Sequence, residues 1–432
     1  MAVCSPDSQV DMTCSASGKN RILYYSECFI FGGCENLLVN LIRSPQNNKA
    51  YDIHFAYAKN KDYERQLCKR LIDVDNIYSI AVLTNGNLFH RINTRRLNWV
   101  IKKIIKLPFY LLKMCGLYST YNIIRLFVLF RTIHPDLLHI NNGGYPAATS
   151  CLDAVISARL AGVKRVVFTV NNIATPQRTL FSKCVDKMIS RFVDKFVTAS
   201  STARNALIGN RAVAPGRIVQ IFNSMQDEFV TLNRISLLKE LSIRPDKFVI
   251  VSVAFLTRRK GQIYILKALR RIRDLREDVF RNLHVVLVGD GEDRSRLELY
   301  ITQHGLRNKV TITGFRSDYY DFINAADLFV LASIGDEDMP LVILSAMALA
   351  KPIISTTVAG INEEIRNDVD GFLLDPVNLD SLNEVLIKLY LGRQLGVRYG
   401  NSARERYNLL FTLDQMIEKY HRLYDGLLKS NS

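Results

Sequence analysis

A run of three acidic residues, 336–338, stands just before Pro340, and the chain continues as LVILSAMA. Because proline fits the first turn of a helix, the backbone N–H groups of Leu341 and Val342 should open toward a ligand. Such a helix start attracts an anion, and the carboxylate of Glu337 would accept hydroxyl groups of a sugar. The alternative interpretation is that these acids only cap the helix.

A second group of residues suited to anion binding follows a predicted strand at 248–254. Arg258, Arg259 and Lys260 are consecutive and precede Gly261, where the next helix is predicted to begin. Charge-assisted hydrogen bonds from these side chains would hold a diphosphate, each contributing about 1.5–3 kcal/mol. A solvated basic turn is the alternative.

Two further turns between a strand and a helix contain glycine. Gly32 and Gly33 follow the first predicted strand, where they would let the backbone approach a ligand and leave helix N–H groups open to an anion. The turn GDGE at 289–292 has Asp290 at a position typical of a helix cap, so we assign it a structural role.

Short apolar and β-branched runs alternate with helical periodicity along most of the chain, which predicts the elements that position these turns. Seven runs predict strands in the first half and five in the second, and a polar stretch at about 224–247 separates the two sets. The first set is 21–26, 51–58, 77–83, 136–140, 165–170, 195–200 and 217–222, and the second is 248–254, 283–289, 309–314, 328–333 and 352–357. This order predicts an α/β protein with two Rossmann-like domains, each a parallel sheet covered on both faces.

Ligands of open α/β sheets bind beyond the carboxyl ends of the strands. Two such domains facing each other would place two ligands in one deep cleft. That geometry suits the transfer of a group from a donor to an acceptor.

Composition narrows the class of protein. Of 432 residues, 48% are hydrophobic, which allows two sizeable cores and excludes overall disorder. There are 57 Lys and Arg against 41 Asp and Glu, and the net charge of +16 favours an anionic partner. The eight cysteines are scattered without a CxxC pair, so we expect neither a disulfide framework nor a zinc site. We also expect a cytoplasmic protein, because the first twenty residues lack a secretory signal pattern and no apolar run reaches 18 residues.

The positive charge is concentrated in a basic amphipathic segment, residues 91–131. It holds nine bases, and no acid occurs between Asp75 and Asp136. At helical spacing the bases form one stripe and aliphatic residues form another, which is typical of a helix lying in a bilayer surface. The residues predicted to contact an anionic membrane surface are Arg95, Arg96, Trp99, Lys102, Lys103 and Lys106.

Each base near an anionic leaflet contributes about 1 kcal/mol, so several together would hold the protein there reversibly. Two alternatives stay open for this segment: nucleic-acid binding, and an ordinary surface helix packed on its own domain. Pro108 should end or kink the helix.

The order of these motifs resembles that of the retaining glycosyltransferases of family 4, which have the GT-B fold. The motifs are GGCE, a KG pair after a strand, GDG, TGF, the acid-x-x-P loop running into AMA, KPII, AGINEEI and DGFLLDP. The resemblance extends from about residue 21 to 427. The stretch HINNGGYP at 139–146 is similar to members that build bacterial surface polysaccharides, and 412–429 is similar to the helix that returns to the N-terminal domain in this family.

The resemblance implies a role for individual residues. Glu337 and Asn171 would contact the transferred sugar as the catalytic pair, and Lys260 would bind the donor diphosphate together with Arg258 or Arg259. The other donor-binding residues that it implies are Gly32, Gly33, Phe315, Arg316, Pro340, Leu341, Val342 and Ser345. The resemblance implies no metal ion and no cofactor, since the helix start and the basic side chains would stabilise the leaving nucleoside diphosphate.

Three positions depart from the family's pattern. Ser345 stands where members usually carry a second glutamate for the ribose, Phe255 where they carry an arginine before KG, and Asn171 where many have a histidine. Serine donates one hydrogen bond but lacks the charged acceptor, so we expect weaker donor binding.

These observations predict four parts along the chain. They are a polar N-terminal tail (1–20), an N-terminal acceptor domain (21–225) that contains the basic amphipathic segment, a C-terminal nucleotide-sugar donor domain (226–411), and a C-terminal helix (412–432) that returns to the N-terminal domain.

The function that we predict is a retaining, metal-independent glycosyltransferase, peripheral on the inner face of the cytoplasmic membrane. It would move a hexosyl group from a UDP- or GDP-linked sugar to a lipid-linked or lipopolysaccharide acceptor. We expect no nucleic-acid partner. The alternative is a catalytically impaired GT-B relative that acts as a membrane-associated binding partner in glycan assembly.

Overall fold

The chain forms two parallel sheets, each covered by helices on both faces, as the sequence predicts. The structure is a computed structural model, and it describes residues 18–28, 32–68, 70–71, 75–84, 89, 92, 98–146, 148–177, 179–225, 230–335 and 337–429.

Seven strands build the first sheet, all paired in parallel. They are β1 (Arg21–Ser26), β2 (Asp52–Ala58), β3 (Ile77–Ile80), β4 (Leu137–Asn142), β5 (Arg165–Val170), β6 (Lys195–Thr198) and β7 (Ile218–Gln220). Their spatial order is β3-β2-β1-β4-β5-β6-β7. The inner strands read as continuous apolar runs because helices bury both of their faces.

Six strands build the second sheet, in the order β10-β9-β8-β11-β12-β13. They are β8 (Phe248–Val253), β9 (Leu283–Val288), β10 (Val310–Gly314), β11 (Leu328–Leu331), β12 (Ile353–Thr356) and β13 (Phe372–Leu374). The strand β13 was not predicted, because three residues are too short a run to show a strand period. It is held by its pairing with β12.

Among the residues that the structure describes, eight helices belong to the first sheet. They are α1 (Gly33–Arg43), α2 (Pro45–Ala50), α3 (Lys61–Leu67), α4 (Trp99–Met114), α5 (Leu117–Ile133), α6 (Thr149–Ala161), α7 (Leu180–Phe192) and α8 (Ser201–Arg211). Buried side chains of α5, α6, α7 and α8 join one core on one face of the sheet, and those of α1 and α3 join the core on the other face.

Nine more helices surround the second sheet in the described part of the second half. They are α9 (Arg234–Glu240), α10 (Gln262–Leu275), α11 (Glu277–Asn282), α12 (Arg294–Gln303), α13 (Tyr319–Ala325), α14 (Leu341–Ala348), α15 (Ile361–Glu364), α16 (Leu379–Leu391) and α17 (Arg393–Leu410). The stretch that we expected to be a plain polar linker contains α9. Leu237 and Leu238 of this helix are buried in the core of the second domain.

The last helix, α18 (Leu413–Lys429), packs on the first domain. Its Tyr424 hydroxyl lies 2.6 Å from Nδ1 of His139 in β4 and 3.3 Å from the hydroxyl of Tyr24 in β1. Burial lowers the pKa of His139 to about 3, so this imidazole is neutral and serves the core. Thus β1 and α18 both belong to the first domain, and α18 ties the second domain back to the first.

The helix that contains Pro108 does not end there. The helix α4 runs from Trp99 to Met114 with the proline inside it, so the helix does not end at this residue, and the kink that we gave as the alternative stays a prediction. Its next neighbour α5 starts after a left-handed Gly116, which makes the tight turn between the two helices.

Candidate active site

A deep cleft lies between the two domains, at the carboxyl ends of both sets of strands. The space in it, counted together with the part that is open to solvent, is about 1520 Å³. Gly32, Gly33 and Asn171 line it from the first domain, while Lys260 and Glu337 line it from the second. The structure therefore brings together residues that lie up to 305 positions apart in the sequence.

The centre of the cleft is an ion cluster around Glu337. Its Oε1 lies 2.5 Å from Nζ of Lys260 and 2.7 Å from a guanidinium nitrogen of Arg259, and the Ser333 hydroxyl donates to it at 3.3 Å. Both Lys260 and Glu337 are buried. Burial lowers the pKa of Lys260, and the attraction of Glu337 opposes that change. Two cations therefore meet one carboxylate at the point where a diphosphate would bind.

The turn that carries Lys260 is fixed by close backbone packing. Residues Arg258–Lys260 form a single 3₁₀ turn, and Gly261 follows it with φ +68°. A Cβ at Gly261 would lie 1.8 Å from the carbonyl oxygen of Ala332, so only glycine fits. The N–H of Ile334 also donates to the carbonyl of Arg259 at 2.7 Å. The basic turn and the acidic loop after β11 are thus held against each other.

The start of α14 supplies a second place for an anion. Pro340 is its N-cap and no side chain of the described residues caps it, so the N–H groups of Leu341 and Val342 are left for a ligand in the cleft. Pro340, Leu341 and Val342 line the cleft as predicted, and Leu341 packs against the cores of both domains. The helix start therefore lies where the two domains touch.

The domains are joined beside this helix start by hydrogen bonds from serines to acids. The Ser200 hydroxyl donates to Oδ1 of Asp338, and the N–H and hydroxyl of Ser201 both donate to Glu363 at 2.7 Å. The side-chain amide of Asn223 donates to the carbonyl of Met339 at 3.0 Å. The loop that carries Glu337 is therefore positioned by the first domain as well as by its own.

The buried carboxyl of Asp338 should make the free energy of unfolding depend on pH, and the substitution Asp338→Asn should remove that contribution. Burial, more than its charged neighbours, raises the pKa of Asp338 to about 7. Because the folded carboxyl binds its proton more tightly than the unfolded one, the free energy of unfolding falls by up to roughly 1.4 kcal/mol per pH unit as pH rises from about 4 to about 7. Asp338→Asn should therefore be stabilised relative to wild type far more at about pH 8 than at about pH 5.

Chemical denaturation at the two pH values measures this difference. Asparagine keeps an acceptor for Ser200, so the hydrogen bond between the domains is retained in the variant. A difference in stability that does not change with pH would contradict the burial of an ionisable Asp338.

Asn171 is held at the edge of the cleft by an amide network. Its Nδ2 donates to Oδ1 of Asn141 at 2.8 Å and to the carbonyl of Asn142 at 3.0 Å. Asn141 in turn donates to Glu35 at 3.2 Å, and Glu35 also accepts from the Tyr63 hydroxyl. Since both hydrogens of the Asn171 amide are engaged, its carbonyl oxygen is the atom left to accept a hydroxyl of a ligand.

Phe315 and Arg316 line the cleft from the side of the second domain. Phe315 is exposed, as a side chain that stacks on a base would be. Arg316 is bound by Asp318 through two hydrogen bonds and by Glu240 at 2.6 Å, so much of its donor capacity is already used.

Two predicted donor-binding residues do not line the cleft. Ser345 is fully buried, and its hydroxyl oxygen lies 2.8 Å from Sδ of Met225 and 3.1 Å from the carbonyl oxygen of Leu341, either of which can accept its one hydrogen. It lies one turn after Leu341, where α14 has already entered the core. Arg258 is exposed outside the cleft lining, and Arg259 takes the place that we assigned to either arginine.

Sequence reasoning missed Asp338 and Glu364 as members of this site. Glu364 is fully buried, and neither carboxyl oxygen has a hydrogen-bond partner among the described residues. Burial first, and the neighbouring acids second, raise its pKa well above the usual range. Asp290 also lines the cleft, and its carboxylate accepts from the N–H of Gly291 at 2.8 Å, but the N-cap of α12 is Asp293, so Asp290 does not cap this helix as we expected.

The predicted membrane-surface residues lie away from the cleft on α4. Trp99 is 66% exposed, and Nζ of Lys103 lies 4.7 Å above its ring. Lys102 and Lys106 are half-buried, while Arg95 and Arg96 lie outside the described residues. Within the part of the chain that the structure covers, none of the helices has the length and apolar composition needed to cross a bilayer.

Known proteins match both the sequence and the fold. Residues 233–406 match the family described as glycosyl transferases group 1. The chain is 29% identical to the UDP-Gal:alpha-D-GlcNAc-diphosphoundecaprenol alpha-1,3-galactosyltransferase of Escherichia coli, over 70% of this chain and 78% of that protein.

Solved structures extend the match to nearly the whole chain. A glycosyltransferase from Rickettsia africae is similar with a TM-score of 0.76 at 17% identity, over 96% of this chain and all of that one. Anabaena Alr3699/HepE in complex with UDP is similar with a TM-score of 0.72 at 18% identity, over 94% of this chain and all of that one. The chain therefore has the GT-B fold, and residues 233–406 of its second domain match the glycosyl transferases group 1 family.

Proposed function

We propose that this protein is a glycosyltransferase that moves a hexosyl group from a UDP- or GDP-linked donor to a lipid-linked acceptor, with retention of anomeric configuration and without a metal ion. The observation that carries the proposal is the buried contact of Glu337 with Lys260 and Arg259 at the start of α14. It supplies a carboxylate for sugar hydroxyls and two cations for a diphosphate within one group of side chains.

Donor binding would rearrange this ion cluster. The diphosphate carries charge that Lys260, Arg259 and the open N–H groups of α14 would bind, so Glu337 would be released toward the sugar. Phe315 would stack on the base in the cleft. These fixed positive groups are the reason to propose that no metal ion is required, because they supply its charge at the leaving group.

The transfer step that we propose breaks the bond between the anomeric carbon and the diphosphate oxygen. The acceptor hydroxyl attacks the anomeric carbon from the face that the diphosphate leaves, and its proton passes to the departing phosphate oxygen. Asn171 would orient a sugar hydroxyl through its carbonyl oxygen. The chain's contribution is to hold both partners in line and to stabilise charge on the leaving group.

A lipid-linked acceptor is supported by one relative and by one surface. The Escherichia coli galactosyltransferase reported above is named for UDP-Gal and a diphosphoundecaprenol-linked acceptor. In this chain, no side chain of α4 is buried, and exposed apolar residues share this helix with lysines. A helix packed on its own domain would bury its apolar stripe, so this exposure favours contact with a membrane surface at the cytoplasmic face.

Reversing three charges on α4 should release the protein from anionic vesicles. The variant changes Lys102, Lys103 and Lys106 to Glu and should float with vesicles containing phosphatidylglycerol far less than wild type, since each base contributes about 1 kcal/mol at such a surface. The matched control changes three exposed bases of the second domain, Lys239, Arg270 and Arg307, to Glu. Equal flotation of the two variants would contradict a membrane role for α4.

A donor panel tests the function itself. UDP- and GDP-linked hexoses would be incubated with a short-chain, diphosphate-linked sugar lipid in detergent and with EDTA present, and the anomeric configuration of the product would be read by NMR. We expect one donor to give a retained linkage, and its nucleoside diphosphate to raise the melting temperature. Stabilisation by a nucleotide without turnover of any donor would instead favour the catalytically impaired relative.

A further inference from the structure

The helix α7 presents a second apolar surface on the first domain, distant in sequence from α4. Leu180 and Phe181, at its first turn, are each 79% exposed. This turn is held by a capping box. The Thr179 hydroxyl oxygen accepts from the N–H of Ser182, and the Ser182 hydroxyl oxygen accepts from the N–H of Thr179. The two apolar side chains are therefore exposed on a regular, capped first turn of a helix.

The basic side chains of α7 are exposed on one side of the helix, and its acidic side chain is buried on the other. Lys183, Lys187 and Arg191 are exposed on the outer side, together with the apolar pair and Met188. The single acid of the helix, Asp186, faces inward and pairs with buried Arg211 at 3.0 Å. The outer side of α7 is therefore apolar and basic without an acid, which complements an anionic surface of mixed polarity.

The helix α7 belongs to a layer of helices that α4 adjoins. Helices α5, α6 and α7 share one core against the same face of the sheet, α6 contacts both α5 and α7, and α4 contacts α5. The outer sides of α5, α6 and α7 therefore point away from the sheet. The chain also reaches α7 directly from the cleft-lining residues Asn171 and Asn172, so its exposed first turn lies at the cleft edge of this layer.

We propose that the outer side of α7 is a second membrane contact, in which Leu180 and Phe181 enter the boundary between headgroups and acyl chains while Lys183, Lys187 and Arg191 bind anionic headgroups. This inference rests on the membrane contact proposed for α4. Two contacts on one layer of helices fix the orientation of the domain, whereas a single helix leaves it free to rotate. The orientation holds the cleft edge next to the surface from which a lipid-linked acceptor arrives.

Moving the single tryptophan of the chain tests this contact directly. Wild type reports on α4 through Trp99, and the variant Trp99→Phe/Phe181→Trp reports on α7. Vesicles of phosphatidylcholine and phosphatidylglycerol in equal parts, with and without brominated acyl chains, measure contact by fluorescence quenching. We expect quenching at both positions, and none in the control Trp99→Phe/Leu299→Trp, which places the probe at an exposed site on the second domain.

The outcomes separate the two membrane claims. Quenching at 99 without quenching at 181 would overturn the second contact and leave the first, and no quenching at either would overturn both. Transfer to the short-chain acceptor is measured in detergent with the same protein preparations. Failure of the enzymatic proposal is therefore distinguishable from failure of the membrane contact.

A second pair of variants removes the apolar contact without moving the probe. Leu180→Ser/Phe181→Ser should weaken partitioning to these vesicles about tenfold, while Leu299→Ser should leave it unchanged. Light scattering on the same proteins checks whether the face instead joins two copies of the chain. A dimer that the double substitution dissociates, with vesicle binding unchanged, would overturn the proposal.

Discussion

Replacing Glu337 with glutamine should abolish most sugar transfer and yet tighten the binding of free UDP or GDP. In the structure Glu337 engages both Lys260 and Arg259, so it competes with a diphosphate for the same two cations. Glutamine removes that competitor, and the affinity for the nucleoside diphosphate should rise by roughly threefold to tenfold. Transfer should fall roughly a hundredfold, because the charged acceptor for the sugar hydroxyls is lost.

Calorimetric titration with UDP and GDP, beside initial rates of transfer, measures the two effects separately. The competition also offers a way to release product, since Glu337 is free to return to the cations once the sugar has left. Unchanged transfer by Glu337→Gln would refute the site, and weaker binding of the nucleoside diphosphate would refute the competition. Glu337→Asp serves as the control that keeps the charge and shortens its reach.

Replacing Lys260 with methionine should weaken the binding of a nucleoside diphosphate by roughly ten- to a hundredfold. A charged hydrogen bond contributes about 1.5–3 kcal/mol, and methionine fills most of the space of the lysine stem without the ammonium. Because Lys260 is already paired with Glu337 in the free enzyme, the loss should lie toward the lower end of this range.

The neighbouring base provides the matched control. Arg258→Met changes the charge of the same 3₁₀ turn, but Arg258 is exposed outside the cleft and its loss should change the affinity less than twofold, roughly the scatter of surface substitutions. Thermal unfolding of both variants checks that the fold is retained. Equal weakening by the two substitutions would mean that the turn acts only through its net charge.

The strands that carry the site could be predicted from the sequence because each is short, apolar and bounded by turn residues. All seven strands predicted between residues 21 and 222 are present, and so are the five predicted between 248 and 357. The positions of Glu337, Lys260 and Pro340 at the cleft followed from the rule that ligands meet the carboxyl ends of parallel strands. The division of the chain at residues 225 and 411, and the roles of individual donor-binding residues, stay predictions.

The sequence pattern does not specify features that depend on rotation about a helix or on packing between distant segments. Ser345 has the spacing of a donor-binding residue, and in the structure its side chain lies in the core beside Met225. Pro108 lies inside α4 and not at its end. Nothing in the run of acids near Glu364 indicates that this one loses all contact with water while its neighbour Glu363 binds Ser201 across the domains.

The sequence by itself determined the two sheets, the order of the motifs and the concentration of positive charge, because periodicity, turn residues and charge are local properties of the chain. Only the tertiary structure decided that Glu337 meets Lys260, that Ser200 and Asp338 join the domains, and that Leu180 and Phe181 stay uncovered. The physical reason is that burial and pairing depend on which surfaces come together. That depends on how two domains and a returning helix pack, which no segment of the sequence specifies alone.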